Sequence, residues 1–159
     1  MDDKLVSIYL QDHMAGAVAG VELARRLRGS NRGSPYGEEL DGICDEIQSD
    51  RKELSRVMSA LGARSNPIKE SSAWLGEKMG RLKLNGRIAG YSPLSRLIEI
   101  EGLLLGVSGK LELWRSLHLA AGDDERLAAV DLRELIRRAE GQRKRLERLH
   151  ERAARDAFG

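Results

Sequence analysis

The chain has 159 residues, enough for one domain to bury a continuous core without disulfides, metals or a partner. Hydrophobic residues make up 41% and charged residues 33% of it, against only 4% aromatics, and the abundant Ala, Leu, Glu and Arg favour helix over strand. The 27 basic and 25 acidic side chains leave a formal net charge of +2, which excludes global attraction to nucleic acid or membrane as the basis of function.

Cys44 is the only cysteine, so no intramolecular disulfide can form and a reducing cytoplasm is expected. The start, Met1-Asp2-Asp3-Lys4, lacks the basic and then apolar blocks of a signal peptide. No apolar run approaches the ~18 residues of a membrane span, so neither export nor membrane insertion is expected. Arginines outnumber lysines by 20 to 7, a bias that fits a high-G+C bacterial genome.

The first helix is expected over about residues 3–28. Leu5, Ile8, Asp12, Ala15, Ala19, Glu22 and Arg26 recur there at helical spacing, and Gly29 follows as a stop. Ser34 and Pro35 then supply an N-cap and a first-turn proline for a second helix over about 35–61, ended by Gly62. Its stripe is Leu40, Ile43, Ile47, Asp50, Leu54, Val57 and Leu61. The next stretch is too long for a turn, and Ser65-Asn66-Pro67 opens a shorter helix over about 67–84 carrying Ile68, Leu75, Met79 and Leu82.

Ser92-Pro93 begins a third long helix over about 93–119, with Leu94, Leu97, Glu101, Leu104, Ser108, Leu111 and His118 as its stripe. Asp131 and Glu134 have capping-box spacing and open a fourth over about 131–157, with Leu135, Ala139, Gln142, Leu146, Leu149 and Ala153 facing inward. The first and last connections are short, which makes antiparallel neighbours, whereas the long middle one permits a parallel, diagonal placement of the second and third long helices. The expected architecture is one all-α domain over 1–159, a four-helix bundle with a long crossover carrying a short helix.

The segments Asp12-His13-Met14-Ala15-Gly16, Arg81-Leu82-Lys83-Leu84-Asn85-Gly86-Arg87 and Gly90-Tyr91-Ser92-Pro93-Leu94-Ser95-Arg96 resemble the ferritin-like superfamily, and more closely a set of uncharacterised small ferritin-like proteins of bacteria. The resemblance spans nearly the whole chain. It implies the fold and no activity.

Metal-binding bundles of this kind use single glutamates on two helices and a Glu-x-x-His pair on each of the other two. Here the corresponding segments read Glu46-Ile47-Gln48-Ser49 and Glu140-Gly141-Gln142-Arg143, with both histidines missing. Glu147-Arg148-Leu149-His150 has the spacing but sits among arginines at a helix end, which reads as a solvated terminus. Asp12, Glu22, Glu46, Asp50, Glu101, Glu140, Gln142 and Arg143 therefore form a candidate polar centre, expected to be salt-bridged by Arg143, or by Arg51 or Lys110, rather than loaded with metal. A buried carboxylate requires such a partner. No cofactor is expected.

A second candidate is a basic segment free of acids, with Lys78, Arg81, Lys83, Arg87 and Arg96 leading to Ser92 and Ser95 at a helix N-terminus, where an anion could bind. No zinc motif, phosphate loop or stacking aromatics accompany it, so nucleic-acid binding has no motif behind it. Gly16 with Gly20, and Gly102 with Gly106, form G-x-x-x-G pairs that suggest close packing of the first and third long helices. Apolar residues outside the main stripes, such as Val18, Leu103 and Leu105, call for a second contact surface. The expected function is a non-catalytic bundle acting through protein contacts or as a homodimer. A diverged metal-binding bundle and an anion- or nucleic-acid-binding module are the alternatives.

Overall fold

A computed structural model describes residues 1–63, 91–122 and 124–159. The expected crossover helix over 67–84, with Lys78, Arg81, Lys83 and Arg87, lies outside the described residues. Four long helices and no strand occur among the described residues: α1 (Asp3–Ser30), α2 (Gly37–Ala60), α3 (Pro93–Ala121) and α4 (Leu132–Phe158). A single 3-10 turn, Glu125–Leu127, lies between α3 and α4. No described helix is long and apolar enough to cross a membrane.

The helix ends follow local chemistry. The Ser92 side chain accepts from the Ser95 amide with Pro93 in the first turn, and Asp131 accepts from the Glu134 amide. Gly62 and Gly122 follow α2 and α3 at φ +67° and +49°, left-handed values that glycine adopts without strain. The start of α2 departs from expectation. Ser34 does not cap it; the Ser34 hydroxyl donates to the Asn31 carbonyl and accepts from the Tyr36 amide, which holds the α1–α2 loop, and the helix begins at Gly37.

Side-chain pairs give the directions. Arg28 meets Asp45 and Arg25 meets Gln48, so α1 and α2 are antiparallel. Arg148 reaches Glu39 while Arg138 reaches Asp50, so α2 and α4 are antiparallel, and the Arg115–Glu140 pair joins α3 to α4. Leu23 packs on Gly102, and Leu10 and Met14 share a cluster with Leu111 and Trp114, so α1 and α3 are also antiparallel. With α1 opposed to both α2 and α3, those two run in the same direction. Only a long connection can join them.

The core is split in two. Leu27, Tyr36, Ile43, Ile100, Leu146 and Leu149 belong to one apolar cluster, and Leu10, Val57, Leu111, Trp114, Leu135 and Ala139 to the other. Along α2 the division falls between Ile47 and Leu54, and along α4 between Leu146 and Ala139, where Asp50 and Gln142 stand. The expected inward stripes of α2 and α4 are buried residue for residue.

Those of α1 and α3 are turned. On α1 the buried residues are Leu10, Met14, Ala15, Val21, Leu23, Ala24 and Leu27, so Ala15 of the expected stripe is buried while Leu5, Ile8, Asp12 and Glu22 are exposed; on α3, Leu97 and Leu111 of the expected stripe are buried, but with Ile100, Leu103, Val107, Trp114 and Leu117, and Glu101 and His118 are not. Both helices carry apolar residues on several sides, so periodicity gave no unique face and packing selected one.

Close glycine packing of α1 against α3 is also corrected. Among the described residues, a Cβ built on Gly16, Gly20 or Gly106 would meet nothing within 4 Å, and of these four glycines only Gly102 has a near neighbour, Leu23 Cδ2 at 3.1 Å. The helix-propensity penalty of glycine is thus not offset by contact. Gly106→Ala should raise stability by about 0.5–1 kcal/mol in chemical denaturation. Gly102→Ala should gain less, because Leu23 must shift. A loss of stability in Gly106→Ala would mean that the glycine faces do touch.

Candidate functional site

The polar layer between the two apolar clusters is built around Asp50, whose side chain is 2% exposed. Arg138 Nε donates to Asp50 Oδ1 at 2.6 Å, Gln142 Nε2 donates to Oδ2 at 2.9 Å, and Lys110 Nζ donates to the same Oδ2 and to Gln142 Oε1. Two cations face one carboxylate. Burial holds the Lys110 pKa below its usual value against the pull of Asp50, and the nearby Arg138 guanidinium acts in the same direction as burial.

Of the expected centre, only Asp50 and Gln142 come together. Asp12, Glu22 and Glu101 are exposed, because the rotation of α1 and α3 carries them away from the core. Glu46 pairs with Arg145, and Glu140 with Arg115 at 2.7 Å, both nearer the surface. Arg143 is corrected as the central cation: it pairs with Glu147 at 3.4 Å along the half-exposed side of α4, while Lys110 and Arg138 do the balancing. Among the described residues no three His, Cys, Asp or Glu side chains converge as metal ligands. Ammonium and guanidinium groups stand around the one buried carboxylate of the centre, so these residues do not fit a dinuclear metal.

The anion-binding candidate is likewise occupied where it is described. The Ser92 and Ser95 hydroxyls bond each other at 3.0 Å, and Arg96 donates to Asn31 Oδ1 at 2.6 Å while lying over the Tyr36 ring at 4.4 Å. Lys78, Arg81, Lys83 and Arg87 are outside the described residues.

Sequence reasoning missed Glu99. It is 2% exposed, bridges Arg26 and accepts from the Tyr91 hydroxyl at 3.2 Å; that hydroxyl accepts in turn from Asn31 Nδ2 at 2.8 Å. This network ties the α1–α2 loop to the start of α3. Burial raises the Glu99 pKa, against the lowering effects of Arg26 and Tyr91. The signal was faint, because Glu99 and Glu101 alternate in an apolar run and periodicity favoured the wrong one.

The second feature is a groove of about 400 Å³ between α1 and α3 that opens onto α2. Gly16 and Gly20 line one wall and Gly102, Gly106 and Gly109 the other, and at each of these except Gly102 a missing side chain leaves space. Leu54, Leu103, Val107, Leu113 and Trp114 make it predominantly apolar. Asp50 and Lys110 of the polar layer also line it, with Asp12, His13 and Arg51. His13 stacks edge-on against Tyr9 at 4.5 Å between ring centroids, and burial lowers its pKa against the opposing pull of Asp12. Trp114 is wholly buried and its indole Nε1 has no hydrogen-bond partner among the described residues. Cys44 is buried away from these residues, its thiol pushed up to about 11 by burial, so it is not a nucleophile at neutral pH.

Two outcomes follow. Asp50→Ala leaves Lys110 and Arg138 facing each other without a counter-charge and should cost about 3–5 kcal/mol in urea unfolding, whereas Arg143→Ala loses one half-exposed pair and should change stability by no more than about 0.5 kcal/mol. The reverse order would locate the central cation wrongly. For Glu99 the folded-state pKa lies above the unfolded one, so its contribution is fully present below the ordinary carboxylate range and is lost as pH rises through the raised value. Glu99→Gln should flatten that fall in a series of unfolding curves against pH; an unaltered pH slope would show that another group titrates there.

Comparison with protein-family models, curated proteins and solved structures finds no match for this chain.

Proposed function

We propose that this chain is a ferritin-like bundle without a dinuclear metal site, and that it works by holding an apolar small molecule in the groove between α1 and α3 rather than by catalysis. Antiparallel neighbours with α2 and α3 running the same way support the ferritin-like reading of the fold. One observation carries the binding reading. Four glycines on facing walls have open space where a Cβ would stand, each at a propensity cost of up to about 1 kcal/mol in a helix, and together they leave a concavity of the size that takes small ligands.

The test is binding of an uncharged apolar fluorophore such as N-phenyl-1-naphthylamine, read by its emission. Wild-type protein should bind it saturably. Gly106→Leu, which puts a side chain into open space, should weaken binding about tenfold or more with the helical circular dichroism unchanged. No saturable binding, or equal binding by a folded Gly106→Leu variant, would overturn the reading.

A second reading, homodimerisation, has its own observation. Leu94, Leu105 and Leu119 on α3, with Leu5 and Ile8 on α1, are large apolar side chains from half to more than four-fifths exposed. A second copy covering them would remove that surface from water. Light scattering should then give twice the chain mass, and Leu105→Glu should return it to the monomer; a monomer at every concentration would end this reading.

A further inference from the structure

We infer a second site, independent of the α1–α3 groove: a basic crevice between α1 and α2 that takes a phosphomonoester, a small organic molecule carrying one phosphate dianion. The crevice has a volume of about 440 Å³. Val18, Val21 and Arg25 recur about one turn apart along its α1 wall, and Arg51, Lys52 and Ser55 along its α2 wall. Arg25 donates to Gln48 Oε1 at 3.1 Å, and Arg51 and Lys52 stand one turn beyond Gln48, so the three cations gather at one end. Met14 and Met58 line the other end.

No acid stands among the described residues of this lining. The acids nearby are engaged elsewhere: Asp50 by Lys110 and Arg138 in the buried layer, Glu53 by Arg56 at 2.7 Å, and Glu22 by Arg25 at 2.8 Å. Arg25 is thereby balanced. Arg51 and Lys52 make no ion pair or hydrogen bond among the described residues. Two positive charges therefore share one concavity without a counter-charge, and the apolar side chains beside them displace part of the water that would screen their repulsion.

The chemistry of the missing anion follows. A phosphomonoester carries about −1.5 to −2 charges at pH 7 and three strong acceptor oxygens. That charge matches the two unbalanced cations. The oxygens can accept from the Arg51 guanidinium, the Lys52 ammonium and the Ser55 hydroxyl, which donates no hydrogen bond among the described residues. A carboxylate would balance only one of the two charges. Inorganic phosphate would fill a small part of the crevice, whereas an organic body on the phosphate also covers the apolar end at Met14, Val18 and Met58.

The experiment is calorimetric titration with phenyl phosphate, benzoate and inorganic phosphate at one ionic strength, on the wild-type chain, Arg51→Gln, Lys52→Gln and the double variant. Both residues are exposed, so the helical circular dichroism should not change. Phenyl phosphate should bind saturably and about tenfold more tightly than either of the other two, and each single substitution should weaken it about tenfold. Arg51 lines the α1–α3 groove as well, so a folded Gly106→Leu variant tells the two cavities apart: it should bind phenyl phosphate as the wild type does. Absence of saturable binding, or binding indifferent to the double variant, would overturn the site. Benzoate binding as tightly would overturn the dianion, and inorganic phosphate binding as tightly would overturn the organic body. Weakening by Gly106→Leu would put the anion in the groove and overturn a separate crevice site.

Discussion

One buried carboxylate organises the middle of this bundle. Asp50 sits on the inward stripe of α2 where an aliphatic residue would continue the core, and an unpaired charge there would cost several kcal/mol. It is tolerated because three other side chains converge on it, Lys110 from α3 and Arg138 and Gln142 from α4. Each of those has to leave its own helix at the correct height, so the layer sets the register of α2 and α3 against α4. The apolar clusters above and below could slide by a turn with modest loss; the polar layer cannot.

The layer also explains the groove. Three helices contribute to the Asp50 layer, while α1 contributes none of its hydrogen bonds. At that level α1 and α3 carry glycine and alanine, and their walls stay apart instead of closing over Lys110. A bundle selected only for stability would fill this space, since alanine at Gly16, Gly20 or Gly106 meets no obstacle. Lys110 consequently belongs to two structures at once, the buried layer and the wall of an open groove.

At the other end of the bundle a separate polar network replaces simple packing. Asn31, Tyr91, Glu99 and Arg26 join the α1–α2 loop to α3, and Arg96 and Arg152 lie over Tyr36, whose hydroxyl donates to Asp156 at 2.6 Å. These contacts connect residues far apart in sequence, and they close the end where α3 begins. Groove and closed end are therefore mechanically distinct, one open and lined by small residues, the other bridged by long polar ones.

Helix content, the glycine stop after α2, the Ser92 and Asp131 caps and the inward faces of α2 and α4 were all determined by the sequence alone. Each rests on local chemistry or on a stripe with polar residues on every other side, as for Leu40 to Leu61 and Leu135 to Ala153. The lengths of the connections also anticipated the common direction of α2 and α3. What the tertiary structure decided was the rotation of α1 and α3, whose apolar residues are spread around the helix, and with it the fate of Asp12, Glu22, Glu99 and Glu101. The same is true of the choice of cation. Spacing favoured Arg143, with Arg51 or Lys110 as alternatives, and Arg138 was not singled out at all, because which long flexible side chain reaches a buried carboxylate depends on a few tens of degrees of helix rotation. That angle is set by packing across the bundle, and no single helix encodes it.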